Sequence, residues 1–210
     1  MNTKVVNLLN RDWVWPKYDT DLLAVSEYVE DVNRIVPYLI STNTVIQAGG
    51  ACGVWPVAFS KLFKNVISFE PDPLNYFCLS ENTIGISNIK AVNAALGDVG
   101  GVVSLVRSEE HKNNCGAGYA IYGSGANIPV ISIDSLGLES CDLIQLDVEG
   151  WEFSVLLGGA NTIKKFKPVI VLEEKQHKHF KQSHTKAREF LVNLGYKEAT
   201  RFHRDVLFVC

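Results

Sequence analysis

The sequence lacks the long apolar runs that would place a protein in or across a membrane. No run approaches the roughly 20 residues needed to span a bilayer. The N-terminus carries Lys4, Arg11 and Asp12 where a signal peptide would have a continuous apolar core. We therefore expect neither membrane insertion nor secretion.

Paired cysteines and an excess of positive charge are also missing. No CxxC pair is present, and the five cysteines are odd in number and far apart, so we expect reduced thiols in a cytoplasmic protein. The formal net charge is −3 and the isoelectric point is about 6.0. Because no overall positive field would attract a polyanion, binding to nucleic acid or to an anionic membrane surface is not expected.

The length and the overall composition are typical of one globular domain. The chain has 210 residues, of which 47% are hydrophobic and 20% charged, enough to bury one core. Short β-branched apolar runs alternate with longer amphipathic segments, a pattern that predicts a parallel sheet with helices on both faces. The strand-like runs are residues 44–48, 66–70, 89–95, 102–106, 129–133, 142–147, 168–173 and 205–209. Helices are predicted over 54–63, 73–84, 149–157 and the segment from Ala187 to Leu194, and residues 107–127 are predicted as a long loop.

The residues before position 44 do not follow this alternation. Apolar residues between Leu22 and Val36 recur at helical spacing, so residues 1–43 are predicted to form a segment with a cap helix over one end of a domain at 44–210. An alternative is that the aromatic stretch WVWPKYDTD, residues 13–21, folds over a bound cofactor.

A glycine-rich turn follows the first strand of the predicted domain. The sequence VIQAGGACG at 45–53 places Gly49 and Gly53 four residues apart between a strand and a helix. Glycines at this sheet edge let the backbone approach a ligand, and the helix N-terminus offers unpaired N–H groups. The alternative is a close-packed turn with no ligand.

A carboxylate lies where a nucleoside site requires one. Glu70 ends the second strand in VISFEPDP, about 20 residues after the glycine turn, where it can accept both ribose hydroxyls. An NAD site shares this feature, but it favours GxGxxG, and Ala51 stands at the second of those glycines. The turn therefore favours a nucleoside with an amino-acid tail over a dinucleotide.

Four motifs in order resemble the FkbM family of S-adenosylmethionine (SAM) dependent methyltransferases. They are VIQAGGACG, FEPDP, NAALGD at 93–98 and LDVEGWE at 146–152, and the resemblance covers about residues 44–174. It implies the class I methyltransferase fold, an α/β, doubly wound, mostly parallel seven-stranded Rossmann-like sheet with an antiparallel last strand. The cofactor-binding residues that it implies are Gln47, Ala48, Gly49, Gly53, Glu70, Pro71, Asp72, Asn93 and Ala94.

Gln47 is a departure from the family pattern, which usually has an acidic residue at the end of the first strand. An amide still forms hydrogen bonds to the amino and carboxylate groups of SAM, but without the charge-assisted part of the contact. Weaker SAM binding, or a non-catalytic module that keeps the fold, is the alternative that this residue favours.

The catalytic residues are predicted at the ends of later strands. Asp147 and Glu149 lie at the same sheet edge as the glycine turn, where one can deprotonate a substrate hydroxyl and the other can orient it. The alternative is that both stabilise the N-terminus of the following helix. His177, in VLEEKQHKH, is a further candidate base. A metal held by Asp147, Glu173 and His177 is an alternative, but their spacing is not a recognised ligand pattern, so no metal is predicted.

The resemblance implies transfer of a methyl group from SAM to a hydroxyl oxygen of a small-molecule or carbohydrate acceptor. Two alternatives remain, a non-catalytic SAM-fold module and an NAD-dependent oxidoreductase. The second is disfavoured by the GGACG turn and by the terminal strand-like run DVLFV.

Overall fold

A computed structural model describes residues 2–20, 29–107, 109, 112–123, 127–174 and 183–210. His177 and the first half of the predicted cap helix lie outside these residues. The described part contains no helix that is long and apolar enough to cross a membrane.

The structure alternates strands and helices along most of its length. In chain order the strands are β1 (Thr3–Leu8), β2 (Arg11–Pro16), β3 (Thr44–Ala48), β4 (Asn65–Phe69), β5 (Ile89–Val92), β6 (Ala95–Leu96), β7 (Gly101–Arg107), β8 (Gly118–Tyr122), β9 (Ile128–Ile131), β10 (Leu143–Leu146), β11 (Val169–Glu173), β12 (Lys197–Phe202) and β13 (Asp205–Val209). The α-helices are α1 (Val32–Ile35), α2 (Val54–Ser60), α3 (Pro73–Thr83), α4 (Glu152–Gly158), α5 (Ala160–Phe166) and α6 (Ser183–Asn193).

The central sheet has seven strands in the order β12-β13-β11-β10-β3-β4-β5. The pairs from β11 to β5 are parallel, whereas β13 is antiparallel to both of its neighbours. The predicted α/β class with a mixed seven-stranded sheet is therefore confirmed. Parallel strands bring their carboxyl ends to one edge, so the ends of β3, β4, β10 and β11 meet there.

The central strands form because most of their residues, on both faces, are apolar. Every residue of β3, β10 and β11 is buried, as expected for parallel strands covered by helices on both sides. Alternate residues enter two different core clusters, with Ile46 and Ile144 in one and Val45 and Leu143 in the other. Hydrophobic packing on both faces of the sheet thus fixes the position of its carboxyl edge.

A second sheet of four strands, in the order β6-β9-β7-β8, corrects the prediction of a long loop over residues 107–127. Strand β8 pairs antiparallel with β7, and Ala120 is buried beside Val103, Ile128 and Val130. Glycine and alanine supply little apolar signal at alternate positions, which is why the sequence pattern did not reveal β8.

The N-terminal segment also differs from its prediction. The stretch that contains Trp13 and Trp15 is strand β2, paired with β1 in a hairpin, and both indole side chains are buried. Residues 29–38 form not one continuous helix but two 3₁₀ turns around the four-residue helix α1. Pro37 follows that helix, and it cannot donate the backbone hydrogen bond that would continue it.

Two further boundaries were missed. Helix α4 begins at Glu152 rather than at residue 149, because Glu149 and Gly150 have left-handed φ angles of 52° and 96°. Strand β12 was not predicted, since its sequence KEATRF is mostly polar and largely exposed at the edge of the sheet.

The side chain of Asn82 joins the N-terminal hairpin to the domain. Its Oδ1 accepts from the Val14 N–H at 2.7 Å, and its Nδ2 donates to the carbonyls of Val14 and Cys52 at 2.9 and 2.8 Å. Asn82 is 3% exposed, so water does not replace these partners. One buried amide therefore connects β2, α3 and the glycine turn.

We predict that Asn82→Ala lowers the free energy of unfolding by roughly 2–4 kcal/mol, because three backbone groups lose their partner away from water. Urea denaturation followed by circular dichroism measures the loss. The matched control is Asn193→Ala, an exposed helical asparagine, for which a change within about 0.5 kcal/mol is expected. Equal losses in the two variants would contradict the role given to Asn82.

Candidate functional site

A cavity of about 440 Å³ opens at the carboxyl ends of the central strands. This volume is in the range of small-molecule sites, which are typically about 300–1,000 Å³. The glycine turn, the β4–α3 loop, the end of β10 and the inner face of the second sheet form its walls. Of the predicted cofactor residues, those that line it are Ala48, Gly49, Glu70, Pro71, Asp72 and Ala94.

The glycine turn is packed tightly against the strands on either side of it. The N–H groups of Gly49 and Gly50 both donate to the Phe69 carbonyl at 3.0 Å. A Cβ atom at Gly49, where φ is +84°, would lie 1.9 Å from the Asp147 carbonyl oxygen. Only glycine satisfies both the backbone angle and the space at this position.

Gln47 lies behind the cavity rather than in its wall. Its side chain is 0% exposed. The Nε2 donates to the Gly49 carbonyl at 3.0 Å, and the Oε1 accepts from the Ser68 hydroxyl at 2.5 Å. The Gln47 amide therefore holds the glycine turn from behind the cavity wall, and its contact with SAM stays a prediction. Gly53, the left-handed N-cap residue of α2, likewise lies outside the cavity wall.

The Glu70 carboxylate links two loops of the cavity wall. Its Oε2 accepts from the Ala51 N–H at 2.7 Å, and its Oε1 accepts from the Asp72 N–H at 2.8 Å. Burial raises the pKa of Glu70 to about 7, although both backbone donors favour the charged form. Each oxygen keeps a lone pair for a further hydrogen bond, so the group can still receive two ligand hydroxyls.

Asn93 positions this loop from outside the cavity wall. Its Nδ2 donates to the carbonyl of Glu70 at 2.8 Å and to that of Pro71 at 3.2 Å. The predicted proximity of Asn93 to a ligand is thus indirect, whereas its neighbour Ala94 lines the cavity.

Arg107 and Asn75 complete this end of the cavity, and the sequence analysis did not identify either of them. Asp72 caps helix α3 through Oδ1, and its Oδ2 lies 3.3 Å from the Arg107 Nη2. The Cys115 carbonyl accepts from both Arg107 and Asn75, at 3.3 and 2.8 Å. The guanidinium also lies 5.1 Å from the centre of the Tyr18 ring. An arginine that ends the apolar run VVSLVR was the available signal.

Carboxyl groups gather at the opposite end of the cavity. One oxygen from each of Asp147, Glu149 and Glu173 lies within 4.8 Å of the others. Asp147 faces the cavity opening, yet protein surrounds it on its remaining sides. Burial, followed by the charges of Glu173 and Glu149, raises the pKa of Asp147 well above its usual range. Asp205, paired with Glu173 across the sheet, has a pKa raised to about 7 by burial and by the same glutamate.

The alternative role of Asp147 and Glu149 as helix-capping residues does not fit helix α4. Its N-cap residue is Trp151, whose side chain makes no capping hydrogen bond. Glu152 instead accepts from the Gly150 N–H at 3.1 Å. Asp147 and Glu149 both line the cavity.

An apolar wall faces these carboxyl groups. Leu105 and Ala120 from the second sheet line the cavity together with the Trp151 indole. The Tyr122 ring packs on that indole with a centroid separation of 5.4 Å. The cavity thus combines a polar backbone end, an acidic end and an aromatic side wall.

We predict that Gly49→Ala lowers the free energy of unfolding by about 3 kcal/mol or more, since strain at positive φ adds to overpacking against Asp147. The matched control is Gly85→Ala, where φ is +82° and nothing lies within 4 Å of the added carbon. It should lose only about 1 kcal/mol. Thermal and urea unfolding of both variants separate the two costs, and similar losses would show that the contact with Asp147 adds nothing.

Comparisons with known proteins identify the family. Residues 57–198 match the family model for the methyltransferase FkbM domain. The FkbM methyltransferase of Methylobacillus flagellatus KT has a similar structure, with a TM-score of 0.57 and 18% identity over 80% of this chain and 44% of that one. A search of curated proteins gives no significant match.

Two methyltransferases from Pyrococcus abyssi share the fold. Trm5b aligns with a TM-score of 0.52 and 11% identity over 99% of this chain and 54% of its own. The tRNA (uracil-54, C5)-methyltransferase, solved with S-adenosyl-L-homocysteine, aligns with a TM-score of 0.51 and 13% identity over 100% of this chain and 45% of its own. The chain therefore spans about half of each of these proteins, and at such identities the likeness concerns the fold alone. Because the family model covers more than half of the sequence, including Glu70 and Asp147, the chain belongs to the methyltransferase FkbM domain family.

Proposed function

We propose that the protein transfers a methyl group from SAM to a hydroxyl oxygen of a small-molecule or carbohydrate acceptor. The observation that carries this proposal is one continuous cavity with a buried, doubly anchored Glu70 carboxylate at one end and a carboxyl cluster at the other. Family membership supports methyl transfer, and the acceptor is inferred from the chemistry of the second end.

The residues at the first end fit SAM. The Glu70 carboxylate would accept the two ribose hydroxyls, and Pro71, Asp72 and Ala94 would flank the adenosine. Gly49 and Ala48 would surround the methionine tail, with Gln47 holding the turn from behind. Bound SAM would supply an electrophilic methyl group on a sulfonium leaving group.

The residues at the second end suit a hydroxyl acceptor. Carboxylates accept hydrogen bonds from hydroxyls, and Asp147, with its raised pKa, is well suited to take up the proton that the acceptor oxygen loses. Glu149 would orient the same hydroxyl. The Trp151 indole offers a flat apolar surface for the carbon–hydrogen face of a sugar or another small ring. His177, outside the described residues, stays a prediction as an additional base.

The binding and turnover experiments described below also distinguish the alternative acceptors and functions. The expectation that no nucleic acid is bound rests on the net charge of −3 and stays a prediction, as does a cytoplasmic location. A non-catalytic module would retain SAM without turnover on any acceptor. An oxidoreductase would bind NAD instead.

We predict that calorimetric titration gives binding of SAM and S-adenosylhomocysteine but not of NAD. Glu70→Gln should weaken binding by about 1.5–3 kcal/mol, because the carboxylate hydrogen bonds to ribose are lost. Glu81→Gln, which alters an exposed carboxyl group on α3, is the matched control and should leave affinity unchanged. Unchanged affinity in a folded Glu70→Gln variant would remove Glu70 from the site.

Binding should also depend on pH through Glu70. A carboxyl group with a pKa near 7 is mostly protonated at pH 6 and mostly ionised at pH 8. Only the ionised form accepts both hydroxyls, so affinity for S-adenosylhomocysteine should fall several-fold from pH 8 to pH 6. The Glu70→Gln variant should show a flatter profile, and identical profiles would contradict this assignment.

We predict that Asp147→Asn reduces turnover by about a hundredfold or more while leaving affinity for S-adenosylhomocysteine within a few-fold of the parent. The assay follows transfer of a radiolabelled methyl group to a panel of sugars and hydroxylated small molecules, with tRNA included as a separate arm. Full activity of the variant would exclude Asp147 as the proton acceptor.

A further inference from the structure

The edge of the central sheet opposite the cavity is rich in lysine. The parallel strands begin at this edge, and helices α2 and α5 end there because each leads into the start of a strand. Exposed lysines lie at these two helix ends, namely Lys61, Lys64, Lys164, Lys165 and Lys167. Within the part of the chain that the structure describes, none of them forms an ion pair with a carboxylate.

The carboxyl groups at this edge compensate these lysines only in part. Asp142 turns inward, and its Oδ2 accepts from the N–H groups of Asn43 and Thr44 at 2.7 and 2.8 Å. Glu139, on the same loop before β10, is exposed. The net charge of −3 therefore averages over two unlike edges, since the carboxyl groups that line the cavity lie at the other one.

Exposed aliphatic side chains lie beside the lysines that follow α2. Val36 and Ile40 belong to the segment between α1 and β3, and Leu62 follows α2. All three are exposed, and Ile40 is fully so. The Lys64 N–H donates to the Thr42 carbonyl at 3.0 Å, so the two segments run side by side. Neighbouring apolar side chains on a surface mark a site of interaction.

Backbone hydrogen bonds connect the lysines after α5 to the same region. The Val169 N–H donates to the Asp142 carbonyl at 3.0 Å, and the Asp142 N–H donates to the Thr44 carbonyl at 2.8 Å. The first residues of β11, β10 and β3 are therefore adjacent, and Lys167 lies two residues before Val169. We call the five lysines and the three aliphatic residues the amino-edge surface.

We propose that the amino-edge surface binds peripherally to an anionic lipid bilayer. Ammonium groups are attracted to anionic head groups, and exposed aliphatic side chains insert between the lipids at the interface. A nucleic acid would also attract the lysines, but its phosphates give Ile40 and Val36 no apolar partner. A second copy of the chain would bring two basic surfaces together, and their charges would repel.

This orientation fixes where the cavity faces. Strand β3 has five residues and rises about 3.3 Å per residue, so the two edges of the sheet lie roughly 15 Å apart. A protein bound through the amino-edge surface would therefore present its cavity to water and not to the bilayer. The inference goes beyond methyl transfer and does not rest on it.

The experiment is sedimentation of the full chain with vesicles of phosphatidylcholine and phosphatidylserine in equal parts, compared with vesicles of phosphatidylcholine alone. We expect binding to the anionic vesicles, little binding to the neutral ones, and a decrease as salt is added. Ile40→Asp should lower the partition coefficient about tenfold. The double variant Lys164→Gln/Lys165→Gln should lower it by about tenfold or more.

The matched controls change exposed residues elsewhere. Lys186→Gln on α6 removes a lysine, and Val99→Asp replaces an exposed aliphatic residue. Both should leave the partition coefficient unchanged. Circular dichroism and S-adenosylhomocysteine binding should be unchanged in every variant, because the cavity lies at the opposite edge.

Four results would overturn the proposal. They are no binding to anionic vesicles, equal losses in the controls, tRNA binding that needs the lysines while Ile40→Asp leaves vesicle binding intact, and self-association in light scattering that Ile40→Asp abolishes. The third would assign the surface to nucleic acid and the fourth to a second copy. Each would leave the methyltransferase proposal standing if S-adenosylhomocysteine still binds.

Discussion

The close approach of Gly49 to the Asp147 carbonyl sets the geometry on which the cavity depends. The turn after β3 rests directly on the end of β10, and the Asp147 N–H donates to the Ala48 carbonyl at 3.1 Å. A larger residue would force the two strand ends apart. The cofactor end and the acidic end of the cavity are therefore held at a fixed separation by backbone atoms rather than by flexible side chains.

Charge is distributed unequally along the cavity that this contact defines. At one end the Glu70 carboxylate is compensated by two backbone N–H groups, and Asp72 by the Arg107 guanidinium. At the other end one oxygen from each of Asp147, Glu149 and Glu173 lies within 4.8 Å of the others, and burial and these neighbouring charges raise the pKa of Asp147. The first arrangement suits recognition of neutral hydroxyl groups by an anchored acceptor. The second arrangement raises the proton affinity of Asp147, so it suits chemistry in which a proton moves.

The sequence predicted the parts of this fold whose signals are local. Short, mostly apolar runs predicted β3, β10 and β11, and motif spacing placed Glu70 and Asp147 at one sheet edge. What it missed depends on tertiary contact. Strand β8 has small residues that give no strand signal on their own, and it forms by pairing with β7. The orientation of the Gln47 amide depends on a hydrogen bond from Ser68 on a neighbouring strand. Arg107 lies at the site because β7, in the second sheet, ends close to Asp72.

The N-terminal segment and the loop at residues 112–117 form the cavity wall beside Arg107 together. The Thr20 N–H donates to the Asn113 carbonyl at 3.1 Å, and the Cys115 thiol donates to the Asp19 Oδ2 at 3.1 Å. The Cys115 carbonyl in turn accepts hydrogen bonds from the side chains of Asn75 and Arg107. A ligand that contacts Asp72 would thus lie against a wall that hydrogen bonds connect to the N-terminal segment. Amide protons far from the ligand in sequence, at the end of the hairpin, would exchange more slowly with solvent when the cavity is filled.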